Sequence, residues 1–175
     1  MQAVDKELTD AGVIVVMGVC GCGKSSVGQQ LAAALGVEFV EGDQFHPAEN
    51  VARMAAGVPL TDADRQAWLS TLSQQLAAAK RAGRGLVLSC SALKRSYRDS
   101  LRRGAPDLKF VHLSGSPELL AQRMTNRAGH YMPASLLASQ LAILEAPGAD
   151  ENALSFDVAQ APAAIVAALM AAAPR

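Results

Sequence analysis

Five short apolar stretches alternate along the chain with longer stretches that have helical periodicity. The first, Val13–Met17, is a continuous apolar, largely β-branched run that ends at Gly18, which is typical of a strand buried on both faces of a parallel sheet. Similar stretches predict four more strands, at residues 37–40, 86–90, 108–113 and 154–158. This regular alternation is typical of an α/β protein.

The intervals between the predicted strands carry helix signals. Residues 24–35 place valine and leucine on one face and are followed by a glycine, so they predict a helix. Thr61 and Asp64 form a capping pattern that opens a helix over about 62–82. We therefore predict a single α/β domain over residues 1–175, with a five-stranded parallel sheet, helices on both faces and ligands at the carboxyl ends of the strands.

Composition narrows the classes of function. The 175 residues include 16 basic and 16 acidic ones, interspersed, so we expect no affinity for nucleic acid or an anionic membrane. The three cysteines are too few for a disulfide scaffold, and their odd number favours a reducing cytosol. The acidic start of the chain is unlike a signal peptide, and the longest apolar tract contains Pro162. We expect a cytoplasmic protein that acts on small molecules.

The stretch from Gly18 to Ser25 matches G-x-x-x-x-G-K-[ST], the phosphate-binding loop, between a predicted strand and a predicted helix. In such a loop glycines let backbone N–H groups face the phosphates, the lysine neutralises the β- and γ-phosphates, and the serine offers a hydroxyl to Mg²⁺. We therefore predict a P-loop NTPase fold with ATP and Mg²⁺ as cofactors. The predicted binding residues are Gly18, Val19, Cys20, Gly21, Cys22, Gly23, Lys24, Ser25 and Ser26.

Cys20 and Cys22 raise the alternative of a metal site. Two thiols at this spacing, without a second pair of Cys or His residues, do not complete a tetrahedral zinc site, so we interpret them as small side chains that fit the phosphate loop. A glycine turn that binds nothing is the other alternative. Because a helix N-terminus and a nearby lysine lower the pKa of a thiol, we expect alkylating reagents to inactivate the protein and MgATP to slow them.

The second predicted strand leads into two carboxylates, Glu41 and Asp43, near the phosphate loop. Asp43 could take a proton from an acceptor hydroxyl, and Glu41 could hold Mg²⁺ through water; a solvated acidic turn is the alternative. His46 and Arg53 follow and could bind an anionic acceptor, although for His46 a surface loop role stays equally open. Trp68 is predicted to be a core or interface anchor.

Several strings beyond the phosphate loop resemble the gluconokinase family, over residues 13–158. They are Glu41-Gly-Asp-Gln-Phe-His-Pro47, Gly57-Val-Pro-Leu-Thr-Asp-Ala-Asp-Arg65, Trp68-Leu69, Cys90-Ser-Ala-Leu-Lys94, Tyr97-Arg-Asp99 and Arg127-Ala-Gly-His130. The resemblance implies a fold similar to shikimate and nucleoside monophosphate kinases and a homodimer. It also implies transfer of the γ-phosphate of ATP to the 6-hydroxyl of D-gluconate. Family members commonly have serine where this chain has Cys20 and Cys22.

The resemblance also implies roles for single residues. Catalysis falls to Lys24, Asp43 and Arg127. Substrate contacts fall to Asp43, His46, Arg53, Ser91, Lys94 and Arg98, of which Arg53 and Lys94 suit the gluconate carboxylate. Arg123 and Arg127 would contact ATP from a lid at about 123–140. Without the resemblance, Lys94 is an exposed residue in the first turn of a helix, and the two arginines are a solvated helix face.

Two other functions compete with this interpretation. Another P-loop kinase, such as one for shikimate or nucleotides, would share the phosphate loop, the carboxylate and the lid. The chain has no G-x-P-R-x-x-x-Q string of the kind that nucleoside monophosphate kinases use to hold a base. The second alternative is a nucleotide-dependent switch that hydrolyses ATP slowly and acts through a partner.

Overall fold

The computed structural model describes residues 12–126 and 133–172. Within these ranges the five strands are β1 (Val13–Met17), β2 (Glu38–Glu41), β3 (Leu86–Ser89), β4 (Lys109–Ser114) and β5 (Ala153–Asp157). The helices of the same ranges are α1 (Lys24–Leu35), α2 (Ala48–Ala55), α3 (Asp62–Arg81), α4 (Arg95–Arg102), α5 (Pro117–Thr125), α6 (Ser135–Ile143) and α7 (Pro162–Ala172). A short 3₁₀ turn, Gly42–Phe45, follows β2.

The five strands form one parallel sheet in the order β2-β3-β1-β4-β5. From β1 the chain crosses to β2 at one edge of the sheet and then moves back, through β3 and β4, to β5 at the other edge. Because crossovers between parallel strands are right-handed, α1 lies on one face of the sheet and α3 and α4 lie on the other. The contacts agree, because α1 packs with α7 and α3 packs with α4. The predicted α/β fold with helices on both faces is confirmed.

Local signals fixed the helix boundaries well. The predicted bounds of α1 are correct, and Gly36 ends this helix with a left-handed φ of 67°. Thr61 caps α3 by accepting from the backbone N–H of Asp64, whose side chain accepts from the N–H of Thr61 in return. These side chains satisfy N–H groups that have no partner inside a helix.

The core lies on both faces of β1, whose five residues are all buried. Trp68 joins this core with 1% of its surface exposed, and its indole N–H donates to the carbonyl of Gly42 at 2.8 Å. The predicted core role of Trp68 is confirmed. No helix in the described part of the chain is long and apolar enough to cross a membrane.

Arg98, which was predicted to contact substrate, lies in the interior instead. Its guanidinium is fully buried and donates to both carboxylate oxygens of Glu151, at 2.7 Å and 3.0 Å. A third donation, to the carbonyl of Ala92, is 2.9 Å long. The prediction for Arg98 was wrong, because these partners hold its charge away from any surface that a ligand could reach.

Candidate active site

The phosphate loop connects the end of β1 to the start of α1, as the motif requires. Gly18 has a φ of 147°, and a Cβ there would lie 2.6 Å from both the Cys22 sulfur and the Leu113 carbonyl oxygen. Its N–H donates to the carbonyl of Ser91 at 3.2 Å, which ties the loop to the segment after β3. Gly23 enters α1 with a φ of 90°. These conformations favour glycine and turn the loop around a space at the start of α1.

Lys24 holds its ammonium group inside this loop. Nζ donates to the carbonyl of Val19 at 3.0 Å and lies 3.9 Å from the Cys22 sulfur. Burial by itself lowers the pKa of Lys24. The two cysteines, once ionised, and the carboxylates of Asp43 and Glu41 act against burial, and the pKa is raised overall. Lys24 is therefore a charged group in position to neutralise phosphate oxygens.

The two loop cysteines are both buried, with 4% of Cys20 and 1% of Cys22 exposed. Burial raises the pKa of Cys20, and this outweighs the nearby charge of Lys24, which lowers it. The expectation of a lowered thiol pKa was wrong for Cys20. The lysine lowers the pKa of Cys20 as predicted, but the sequence does not reveal how completely the surrounding side chains cover this sulfur.

We expect alkylation of the native protein by iodoacetamide at pH 7 to be slow and to leave turnover intact, since all three thiols are buried and buried thiols react poorly. After unfolding, all three cysteines should react. A Cys20→Ser, Cys22→Ser variant is the matched control and should retain ATP affinity and most of the turnover. Mass spectrometry of the modified protein measures the reaction. Rapid inactivation that MgATP prevents would contradict this expectation.

Glu41 joins the phosphate loop to the end of β3. One oxygen of its carboxylate accepts from the hydroxyl of Ser25, and the other accepts from the hydroxyl of Ser89. Ser89 also accepts from the backbone N–H of Gly42 at 3.2 Å, which orients its hydroxyl. The oxygens of Ser25 and Glu41 thus converge at the start of α1, and hydroxyl and carboxylate oxygens are the donors that Mg²⁺ prefers.

Asp43 and His46 stand on opposite ends of the 3₁₀ turn that follows β2. The Nε2 of His46 lies 3.9 Å from Oδ1 of Asp43, and the imidazole ring stacks on Trp68 at a centroid distance of 3.9 Å. Burial, with the charge of Arg65, lowers the pKa of His46 to about 4. His46 is therefore neutral at pH 7, so it can form hydrogen bonds with a substrate but cannot neutralise an anionic one.

Arg65 supplies a cation that sequence reasoning missed. It lies in the first turn of α3 with 6% of its surface exposed, and Nη1 donates to the carbonyl of Leu60 at 2.8 Å and to the Tyr97 hydroxyl at 3.1 Å. Arg65 ended one of the strings quoted above, but no local pattern distinguished it from Arg53. The contact that places it, with Tyr97 of α4, is a tertiary one.

The two cations predicted to bind the substrate carboxylate do not line the cleft. Arg53 has half of its side chain exposed, and its Nη1 lies 3.4 Å from the carboxylate of Asp64. Lys94 donates from Nζ to the carboxylate of Asp62 at 3.0 Å. Lys94 is the N-cap residue of α4 and is partly exposed, so its position is close to that of the alternative interpretation, an exposed residue in the first turn of a helix.

Two arginines were predicted to contact ATP from a lid. Arg123 is on α5, and its Nη2 donates to the carbonyl of Val158 at 2.5 Å. Arg127 lies outside the described residues, as do the other residues of 127–132, so its predicted roles in catalysis and ATP binding stay predictions. Most of the remaining described residues of the predicted lid belong to the C-terminal end of α5 and to α6.

One open cleft at the carboxyl end of the sheet brings most of the remaining predicted residues together, but Gly18, Val19, Cys22 and Ser26 do not line it. The predicted residues that line it are Cys20, Gly21, Gly23, Lys24, Ser25, Glu41, Asp43, His46 and Ser91. The cleft adds four side chains that were not predicted as site residues, namely Met54, Leu60, Arg65 and Gln140. It therefore combines a phosphate loop, a pair of carboxylates and a buried cation, which suits transfer of a phosphoryl group to an anionic acceptor.

Comparisons with known proteins find gluconokinases among the similar sequences. A family profile described as an AAA domain matches residues 13–147. The chain is 54% identical to a gluconokinase of Gluconobacter oxydans over 138 residues, which cover 79% of this chain and 78% of that protein.

Solved structures of two kinases have folds similar to that of this chain. A gluconokinase from Sinorhizobium meliloti is 52% identical with a TM-score of 0.83, and the match covers 93% of this chain and 91% of that one. A sugar kinase from Janibacter is 46% identical with a TM-score of 0.88, covering 91% and 92% of the two chains.

Proposed function

The chain belongs to the gluconokinase family, and we propose that it transfers the γ-phosphate of ATP to the 6-hydroxyl group of D-gluconate. The observation that carries this proposal is the shared cleft, in which Lys24 of the phosphate loop faces Asp43 and Arg65 on the acceptor side. Phosphoryl transfer needs positioning and charge stabilisation more than covalent chemistry, and these groups supply both.

The nucleotide side of the reaction rests on the phosphate loop. Backbone N–H groups at the start of α1 hold the phosphates, and Lys24 neutralises charge that grows on the γ-phosphoryl oxygens during transfer. Mg²⁺, held by Ser25 directly and by Glu41 through water, would supply further charge neutralisation between the β- and γ-phosphates. Ser25 can keep its present hydrogen bond to Glu41, because it donates its hydrogen to the carboxylate and its oxygen lone pairs stay available to the ion.

The acceptor side rests on Asp43 and the buried wall behind it. The carboxylate of Asp43 accepts the proton of the attacking hydroxyl, while 23% of its side chain is open to the cleft. We assign the gluconate carboxylate to Arg65, because arginine binds carboxylates with two parallel hydrogen bonds and Arg65 is the arginine that lines the described part of the cleft. Neutral His46 and Ser91 line the same cleft, and we assign to them hydrogen bonds with the hydroxyl groups of the sugar acid.

Arg65→Met is expected to raise the KM for gluconate by roughly 10- to 100-fold, the value of hydrogen bonds to a charged group, and to leave ATP affinity unchanged. Arg53→Met tests the competing assignment, and it should change the KM less than threefold, because Arg53 is half exposed and paired with Asp64. Steady-state kinetics with each substrate varied in turn measures both. Because Arg65 also contacts Tyr97, thermal unfolding of each variant must accompany the kinetics. If Arg53→Met raised the KM for gluconate more than Arg65→Met did, the gluconate carboxylate would have to be assigned to Arg53.

A substrate screen tests the function itself. ADP formation should depend on gluconate, and the product should be 6-phosphogluconate, identified by mass spectrometry and nuclear magnetic resonance. Shikimate and AMP should support little turnover, because polar groups in the site that the wrong ligand leaves unpaired cost several kcal/mol. A nucleotide-dependent switch would hydrolyse ATP at the same rate with and without the sugar acid.

Three further properties belong to this proposal. The activity requires Mg²⁺, which removal with a chelator and return of the ion would test. The protein is a homodimer, as the family resemblance implies, and light scattering after size-exclusion chromatography would test this. It acts in the cytoplasm, where the free thiols of Cys20, Cys22 and Cys90 are compatible with the reducing conditions.

A further inference from the structure

Gln140 connects helix α6 to the phosphate loop across 120 residues of sequence. Its side-chain oxygen Oε1 accepts from the backbone N–H of Cys20 at 2.8 Å, and 7% of the residue is exposed. The N–H of Cys20 is therefore directed at a protein group. Although Cys20 was predicted to bind the cofactor, its N–H is one loop donor that Gln140 already occupies.

The amide nitrogen of Gln140 has donors to spare. Within the described residues, Oε1 has the Cys20 N–H as its partner, and the two hydrogens on Nε2 have no acceptor. Nε2 of His112 is the single fully buried side-chain polar atom without a partner in these residues, so the amide nitrogen of Gln140 is not fully buried, and the residue itself lines the cleft. Its donors are available to a ligand in that cleft.

The position of this amide relative to the two substrates defines that ligand. Lys24 and Ser25 mark the nucleotide side of the cleft and Asp43 marks the acceptor side, and all three line it with Gln140. The γ-phosphoryl group has to lie between the loop and Asp43, because the acceptor hydroxyl attacks it in line. A side chain that contacts the loop and opens into the same cleft is adjacent to this group.

We propose that Gln140 is a catalytic residue whose Nε2 donates a hydrogen bond to the γ-phosphoryl group of ATP, while Oε1 holds the Cys20 N–H. This inference rests on the use of ATP in the proposed function and names one more group that acts on the transferred phosphoryl. Gln140 delivers a donor to the γ-phosphoryl oxygens in place of the Cys20 N–H that it occupies. A preorganised amide of this kind stabilises the charge of the transition state.

Two variants separate the two ends of the amide. Gln140→Glu keeps an oxygen that accepts from Cys20 N–H and replaces the donor with a second oxygen, whereas Gln140→Met keeps the length of the side chain and removes both functions. The affinities for ADP and for β,γ-imido-ATP, each with Mg²⁺, are measured by calorimetry, together with turnover of gluconate and the unfolding temperature.

Gln140→Glu is expected to bind ADP like the parent and to bind β,γ-imido-ATP roughly 10- to 100-fold more weakly. Its turnover of gluconate should fall by at least the same factor. Gln140→Met should also lower the preference for the triphosphate analogue, with some loss of ADP affinity because the loop is no longer held. A parental ratio of the two affinities in Gln140→Glu would overturn the proposal, whatever happens to turnover. Should the parent fail to phosphorylate gluconate, the proposed acceptor falls, but the nucleotide ratio still decides the role of Gln140.

Discussion

Asp43→Asn is expected to lower kcat by about two to four orders of magnitude, the range that general acid-base groups contribute, and to leave ATP affinity close to that of the parent. Asparagine keeps the size of the side chain but removes the negatively charged oxygen that accepts the proton of the acceptor hydroxyl. The phosphate loop does not depend on Asp43 for its backbone geometry, because its contacts run through Ser91, Val19 and Gln140. Single-turnover measurements at saturating gluconate isolate the chemical step.

Asp107→Asn is the matched control for this prediction. Its carboxylate is 62% exposed and pairs with Lys80, so the same change there should leave turnover unaffected. Parental turnover of Asp43→Asn at saturating substrates would make Asp43 a structural residue of the turn. Glu41 would then be the next candidate for the base, although both of its oxygens already accept hydrogen bonds from serine hydroxyls.

Arg98→Met is expected to lower the free energy of unfolding by about 3 kcal/mol, the lower end of the range for breaking a buried ion pair. The change leaves the carboxylate of Glu151, 2% exposed, without its main partner, although Arg102 still donates to it at 2.9 Å. An additional Glu151→Leu substitution should recover much of the loss, because it removes the unpaired charge. Urea unfolding followed by far-ultraviolet circular dichroism measures all three proteins.

The pH dependence of this loss provides a second test. Hydrogen bonds from Arg98, acting against burial, lower the pKa of Glu151 from an ordinary value of 4.5 to about 2. A lowered carboxyl pKa means that the ion pair stabilises the fold above about pH 4.5 and that this contribution disappears as the pH falls toward 2. The difference between parent and Arg98→Met should therefore shrink over this interval. A difference that stays constant with pH would assign the loss to packing.

The sequence predicted the fold and the phosphate loop because both depend on local patterns. The apolar run of β1 and the capping pair Thr61 and Asp64 each determine the structure of residues only a few positions away in the sequence. The phosphate loop needs glycines at fixed spacing, so it can be identified in the sequence without knowing which residues pack around it. Elements of this kind can be located from a single sequence.

The acceptor side could be predicted only in part, because it is built from contacts between distant segments. Arg53, Arg65 and Arg98 are chemically alike, and the sequence offered no reason to separate the exposed one, the one in the cleft and the buried one. Their positions depend on Asp64, Tyr97 and Glu151, of which the last is 53 residues from its partner. Gln140 reaches the loop across a still longer separation and carried no motif of its own.

The stacking of His46 on Trp68 determines what fluorescence can report about this protein. Trp68 is the single tryptophan of the chain, and its indole stacks on His46, which lines the cleft. A ligand that contacts His46 is therefore expected to change the emission of Trp68 through this stacked ring. Because Trp68 also belongs to the core, the same emission follows unfolding of the sheet. A ligand that orders the turn around His46 should therefore change the emission of the folded protein before any unfolding takes place.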